Sequence, residues 1–188
     1  MRQVLVGRTQ VELVTGDIVH AGTEALVTAA NASLAGGGGV DGAVHRAAGP
    51  RLLAALRPIG HCAPGSAVMT PAFDLPEPVK CVIHAVGPVY FIEGPERSAD
   101  LLRGAYTAAL RLCEEERLRS VAFPSISTGA YGYPVHRAAP VAITAILEHL
   151  HATPGTSLEL VRLVLFDERI AQAYEKALDQ ALTGNMGA

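Results

Sequence analysis

Four consecutive glycines, Gly36, Gly37, Gly38 and Gly39, run directly into Val40-Asp41-Gly42. Glycine carries no Cβ and reaches positive φ freely, so a partner can approach such a backbone closely. Ordering it costs about 0.5–1 kcal/mol per residue relative to alanine in regular structure. The pattern supports two readings: a solvated linker, or a main-chain cradle for an anion with the Asp41 carboxylate at its rim. The flanking residues favour the cradle. An apolar strand-like stretch (25–30) precedes it and a helical stretch (44–56) follows, where α/β proteins place their ligand loops. A second loop, from Pro124 to Pro134, also lies between a strand-like segment (121–123) and a helical one (135–150). A helix N-terminus adds free N–H groups and a favourable dipole to such a loop. Ser127 and Thr128 add hydroxyl donors, and Gly129, Ala130 and Tyr131 continue the run. Two strand-to-helix glycine loops in one small chain point to a shared diphosphate site.

Other chemistries fit less well. No Gly-Lys-Ser/Thr follows the glycines, so they do not form a P-loop. Gly37, Gly39 and Gly42 satisfy G-x-G-x-x-G, as any glycine run would. The acidic residue that a dinucleotide fold wants on the next strand is missing, and Cys62 stands near that spot. Neither loop serine sits in a G-x-S-x-G elbow, so neither reads as a nucleophile. Asp17 follows Thr15-Gly16 at a strand end and reads equally as a turn cap or a ligand group. Asn31 ends the strand before the glycines; buried there, its amide must be hydrogen-bonded, to backbone or to ligand. His61-Cys62 is isolated and no Cys/His set has metal spacing, so neither metal nor cofactor is expected.

The elements that position these loops follow from periodicity. Residues 3–7 and 11–14 read as a strand hairpin, and 25–30, 66–70, 81–86, 121–123 and 158–166 as further strands. Helical spacing covers 41–57, with Asp41 as its cap, then 98–117, 135–150 and 168–182. Alternating strands and helices predict an α/β sandwich around a mostly parallel sheet, made mixed by the hairpin. One domain is expected over residues 1–182, with 183–188 as a frayed tail. The chain has 188 residues and a net charge of −3, with both signs interspersed, which disfavours a nucleic-acid surface built on a basic patch. Three scattered cysteines without C-x-x-C indicate free thiols in a reducing compartment. No apolar run approaches the ~20 residues of a membrane span, so a cytoplasmic protein is expected.

Four segments carry a resemblance to a known family. Gly16-Asp17-Ile18, the run from Ala30-Asn31 through the glycines to Ala47-Ala48-Gly49-Pro50, Val82-Ile83-His84-Ala85-Val86-Gly87-Pro88, and Ser127 to Pro134 together resemble a macrodomain. The branch they resemble is that of the MacroD-type hydrolases, which include O-acetyl-ADP-ribose deacetylases. The resemblance runs from about residue 11 to 182. It implies a three-layer α/β/α sandwich with a mixed six-stranded central sheet and a cleft for ADP-ribose. At matched positions it implies that Asp17 and the Ile18 backbone hold adenine and that Phe166 stacks on it. Gly38, Gly39, Val40 and residues Ser127, Thr128, Gly129, Ala130 and Tyr131 would wrap the diphosphate and distal ribose. Asn31 would bond that ribose, Asp41 would be the catalytic acid, and His45, one turn on, a possible accessory. The implied activity is hydrolysis of mono-ADP-ribose esters on acidic protein side chains, or deacetylation of O-acetyl-ADP-ribose. The alternatives are a non-catalytic ADP-ribose reader and a hydrolase of ADP-ribosylated nucleic acid. Expected partners are ADP-ribose, ADP-ribosylated proteins or O-acetyl-ADP-ribose, not membranes or unmodified nucleic acid. One departure stands out: Thr28 occupies a position where the family usually has Asn, and a local change in hydrogen bonding is expected there.

Overall fold

The run Cys-Val-Ile-His-Ala-Val at residues 81–86 has no polar side to give to water, which suits a strand covered on both faces. In a computed structural model that describes residues 1–184, this segment is β5 (Cys81–Val86), and every one of its residues is buried. Its companions in the parallel centre are mostly apolar: β3 (Ala25–Ala29), β6 (Ser120–Phe123) and β7 (Leu160–Leu165). At one edge β2 (Thr9–Thr15) runs parallel to β7 and pairs antiparallel with β1 (Arg2–Val6) across a Gly7-Arg8 turn. Gly7 takes a φ of 60° there, which glycine reaches without a steric penalty. At the other edge β4 (Ser66–Pro71) pairs antiparallel with β5. The order is β1-β2-β7-β6-β3-β5-β4. The mixed α/β sandwich is as expected, but the sheet has seven strands where six were implied, because both arms of the N-terminal hairpin join it.

Helices cover both faces. On one, α1 (Gly39–Ala48) and α2 (Pro50–Leu56) lay Val44, Ala48 and Leu52 over Leu26, Val82 and Ala122 of the sheet. A short α3 (Tyr90–Glu93) then leads to α4 (Pro95–Glu115). With α5 (Val135–Ala152) and α6 (Glu168–Gly184), α4 packs on the opposite face over Val27, Ile83, Val121 and Leu163. Among the described residues, no helix is long and apolar enough to cross a membrane.

Three expectations change. The single helix over 41–57 is two, because Gly49 turns to a φ of 77° and closes α1 through its amide on the His45 carbonyl. Pro50 then opens α2 at its first position, where its missing N–H costs nothing. Asp41 does not cap α1; Gly38 does, and Asp41 lies within the first turn. Thr183 and Gly184 belong to α6 and are not frayed, while the rest of the expected tail lies outside the described residues.

The topology creates a crevice. After β3 the chain crosses to α1 on one face and proceeds toward β4 and β5. After β6 it crosses to α5 on the other face and proceeds to β7. β3 and β6 are neighbours, so their following loops part at a switch point, where open α/β sheets bind ligands.

Candidate active site

Both glycine loops open into one cleft of about 280 Å³ at that switch point. Ala29, Ala30 and Asn31 form its β3 wall, Gly37 to Asp41 its floor toward α1, and Ser125 to Ser127 with Gly129, Ala130 and Tyr131 the facing wall. Among the described residues, the amides of residues 36–41 and 127–131 have no protein acceptor. The first set includes the opening turn of a ten-residue helix, whose N–H groups have no partner within the helix and whose dipole favours negative charge. Two rows of unpaired amides on opposite walls are what a diphosphate needs from a chain with little positive charge.

The second loop is held from below. Tyr106 of α4, fully buried, donates to the Pro124 carbonyl at 2.9 Å and accepts from the Ile126 amide at 3.3 Å. Tyr174 of α6 meets the Ser125 hydroxyl at 2.9 Å. Ser127 is bent to a φ of 65°, a left-handed conformation that costs a non-glycine residue roughly 1–3 kcal/mol. Its buried hydroxyl has no partner among the described residues and lies against Gly87, where a Cβ would stand 2.1 Å from it. Gly87 is therefore the residue that lets the loop close over the end of β5. The Thr128 hydroxyl, expected as a donor to a ligand, instead meets the Ser125 carbonyl and hydroxyl, both at 2.9 Å, which leaves the main-chain amide as the group Thr128 can offer.

Asn31 shapes the first loop. Its Nδ2 donates to the Gly36 carbonyl at 2.8 Å, and its Oδ1 accepts from the Ala35 amide at 3.2 Å and the Ser33 hydroxyl at 2.9 Å. Asp41 is only 4% exposed. Its Oδ1 accepts from the Thr28 hydroxyl at 3.0 Å, and its Oδ2 lies 3.7 Å from His45 Nε2. Burial raises the Asp41 carboxyl above the ordinary aspartate value, against the pull of His45 and the Thr28 hydrogen bond. A carboxylate with a raised proton affinity, facing a cleft, is suited to accepting a proton from water. A Cβ on Gly37 would stand 3.7 Å from Asp41 Oδ2 and 3.8 Å from Asn31 Nδ2. Glycine there leaves open the space that both groups border. Burial, then the Asp41 charge, also raises the Tyr131 phenol.

Asp17, Ile18 and Phe166 do not line this cleft but stand along the same sheet edge. The Gly16 amide bonds the Leu165 carbonyl at 3.1 Å, so Asp17 and Phe166 project from adjoining ends of β2 and β7. Phe166 is 82% exposed, which rules out a core role. Asp17 does cap, accepting from the Val19 amide at 3.0 Å, and keeps its other oxygen 3.4 Å from His20. From β2 to β3 is three strand intervals, roughly 14 Å along the edge, which suits an elongated ligand.

His84 was singled out in the sequence only as part of a longer motif. It is fully buried in β5, level with Thr28; Thr70 meets its Nε2 at 2.9 Å, while Nδ1 has no partner among the described residues. Burial, with nearby His45, holds it down to about 3, so it is neutral. The available signal was a histidine inside an otherwise apolar strand. Asp41, His45 and His84 offer ligand atoms within 4.8 Å of one another, a grouping that chain spacing does not reveal.

Known proteins share this architecture. Residues 27–142 match the Macro domain family. A protein of Enterobacter sp. (strain 638) named O-acetyl-ADP-ribose deacetylase is 48% identical over 177 residues, spanning 92% of this chain and 96% of its own. The Oceanobacillus iheyensis macrodomain, solved with ADP, superposes with a TM-score of 0.90 at 38% identity over 97% of each chain. The Trypanosoma brucei macrodomain in complex with ADP-ribose gives 0.81 at 36% identity, over 89% of this chain and 68% of its own. With the family model matching residues 27–142 and relatives this similar over nearly its whole length, this chain belongs to the macro domain family.

Proposed function

We propose that this protein is a hydrolase that binds ADP-ribose along the carboxyl edge of its sheet and cleaves an ester at the distal ribose. Residues 1–182 act as one domain. Adenine lies over Phe166 with its amino group on Asp17 and its ring on the Ile18 backbone. The diphosphate lies between the amides of Gly38, Gly39 and Val40 and those of residues 127–131. The distal ribose reaches Asn31 and Tyr131. The observation that carries the reading is the open space at Gly37, bordered by Asp41 Oδ2 and Asn31 Nδ2 at the end of an amide-lined cleft.

Asp41 orients a water molecule there and takes its proton as the water oxygen bonds to the acyl carbon. The acyl–oxygen bond then breaks, and the ribose oxygen leaves with the proton that Asp41 took from the water. General-base help of this kind is worth roughly 10²–10⁴-fold. Acetate and ADP-ribose are the products when the acyl group is acetyl, as in the deacetylase relatives' name. A mono-ADP-ribosylated Glu or Asp side chain presents the same ester, so modified proteins are the finer substrate class. The reading is tested by following release of acetate from O-acetyl-ADP-ribose, and of ADP-ribose from a Glu/Asp-modified protein, for the parent and for Asp41→Ala. Turnover by the parent and none by the variant, with ADP-ribose binding kept, is the expected result. Binding without turnover by the parent would leave a reader.

A further inference from the structure

Asp41 sits on α1, but the side chain that hydrogen-bonds it comes from the sheet. Thr28 is fully buried in β3, and its strand position is set by pairing with β5. Around it the sheet face under α1 is mostly apolar, with Leu26, Val82, Ala122, Val44 and Ala48, apart from the buried His84–Thr70 pair beside it. A hydroxyl in such surroundings is costly unless bonded. Its partner is Asp41 Oδ1, at 3.0 Å. His45 stands 3.7 Å from Oδ2, beyond hydrogen-bond reach. Among the described residues, then, Thr28 is the sole hydrogen-bond donor to this carboxylate. With Oδ1 tied to the sheet, Oδ2 is the oxygen left facing the space at Gly37.

We propose that Thr28 is a positioning residue, which fixes the rotation of the Asp41 carboxylate so that one chosen oxygen meets the reacting water. The proposal rests on the reading of Asp41 as the group that acts on water. It also explains how Thr is accommodated at this site: one donor hydrogen suffices to hold one oxygen.

The test compares Thr28→Val, which keeps the branched shape and removes the hydroxyl, with Thr28→Ser, which keeps the hydroxyl. O-acetyl-ADP-ribose is the substrate, ADP-ribose calorimetry reports the cleft, and circular dichroism reports the fold. Thr28→Val should lower kcat about ten- to hundredfold, the worth of a hydrogen bond to a charged group. KM and ADP-ribose affinity should stay within about twofold, because Thr28 does not line the cleft. The acidic limb of its kcat profile should move to higher pH, because the lost bond favoured the ionised form. His45 on α1, His84 on β5 and Tyr131 on the second loop also surround Asp41, and they are the same in every variant compared. Thr28→Ser should recover most of the rate and the original limb. A folded Thr28→Val with parental kcat and an unmoved limb would overturn the proposal, as would Thr28→Ser behaving like Thr28→Val. Asp41→Ala, run beside them, separates the two failures: if it retains full activity, the reading of Asp41 falls first.

Discussion

Between pH 7.5 and 5.0, acid should weaken this fold at His84. It is fully buried and neutral, held down to about 3 from its usual 6.5. Below pH 6.5 the unfolded chain takes up a proton at this position and the folded chain does not. Stability is therefore intact above 6.5, declines as pH falls through it, and levels only near 3. Between pH 7.5 and 5.0 the unfolded state gains RT ln(1 + 10^1.5) at this site, about 2 kcal/mol, and almost nothing at the upper pH. Asp41 works in the opposite sense. Its raised folded pKa means the native state binds the proton more tightly, so from that pKa down to the ordinary 3.8 it adds stability as pH falls. The comparison must therefore be with His84→Gln, which leaves Asp41 and every other group in place. The chain has no tryptophan, so urea unfolding is best followed by far-ultraviolet circular dichroism. The parent should lose about 2 kcal/mol more than the variant between the two pH values, or roughly 4–8 °C in Tm. Equal losses within about 0.5 kcal/mol would show that folded His84 accepts a proton, and would refute the reasoning.

Two further substitutions separate stability from function. Gly37→Ala places a methyl at ordinary contact distance from Asp41 Oδ2 and Asn31 Nδ2. It should leave the melting temperature unchanged or raise it by the equivalent of about 0.4–1 kcal/mol, while cutting turnover at least tenfold by filling the space between them. Phe166→Ala removes an exposed ring, so stability should stay within about 0.5 kcal/mol. Calorimetry should show weaker ADP-ribose binding, with ribose 5-phosphate, which has no adenine, bound as before.

Local signals made much of this molecule legible. Continuous apolar runs marked β5 and β7, and a hairpin pattern marked the N-terminus. Two glycine loops between strand and helix marked both walls of the cleft. The helix break at Gly49 was missed because the apolar spacing of Val44, Ala48 and Leu52 continues through it, and periodicity outweighed the Gly-Pro pair. Thr128 looked like a ligand donor because composition does not reveal which hydroxyls a loop uses internally. On the residues alone Phe166 reads as a core position; it directly follows the last residue of β7, and that position exposes it. The Thr28–Asp41 bond spans 13 positions, and the His84–Thr70 bond spans 14. Contacts like these arise from strand register and the docking of α1, which no window of sequence contains. The site's polar underside was accordingly the least visible part of the chain.

The most direct test of the account is release of ADP-ribose from a protein mono-ADP-ribosylated on Glu or Asp, alongside acetate release from O-acetyl-ADP-ribose, by parent and Asp41→Ala. The account predicts turnover of at least one ester by the parent, none by the variant, and retained ADP-ribose binding in both. Full activity in Asp41→Ala would contradict it.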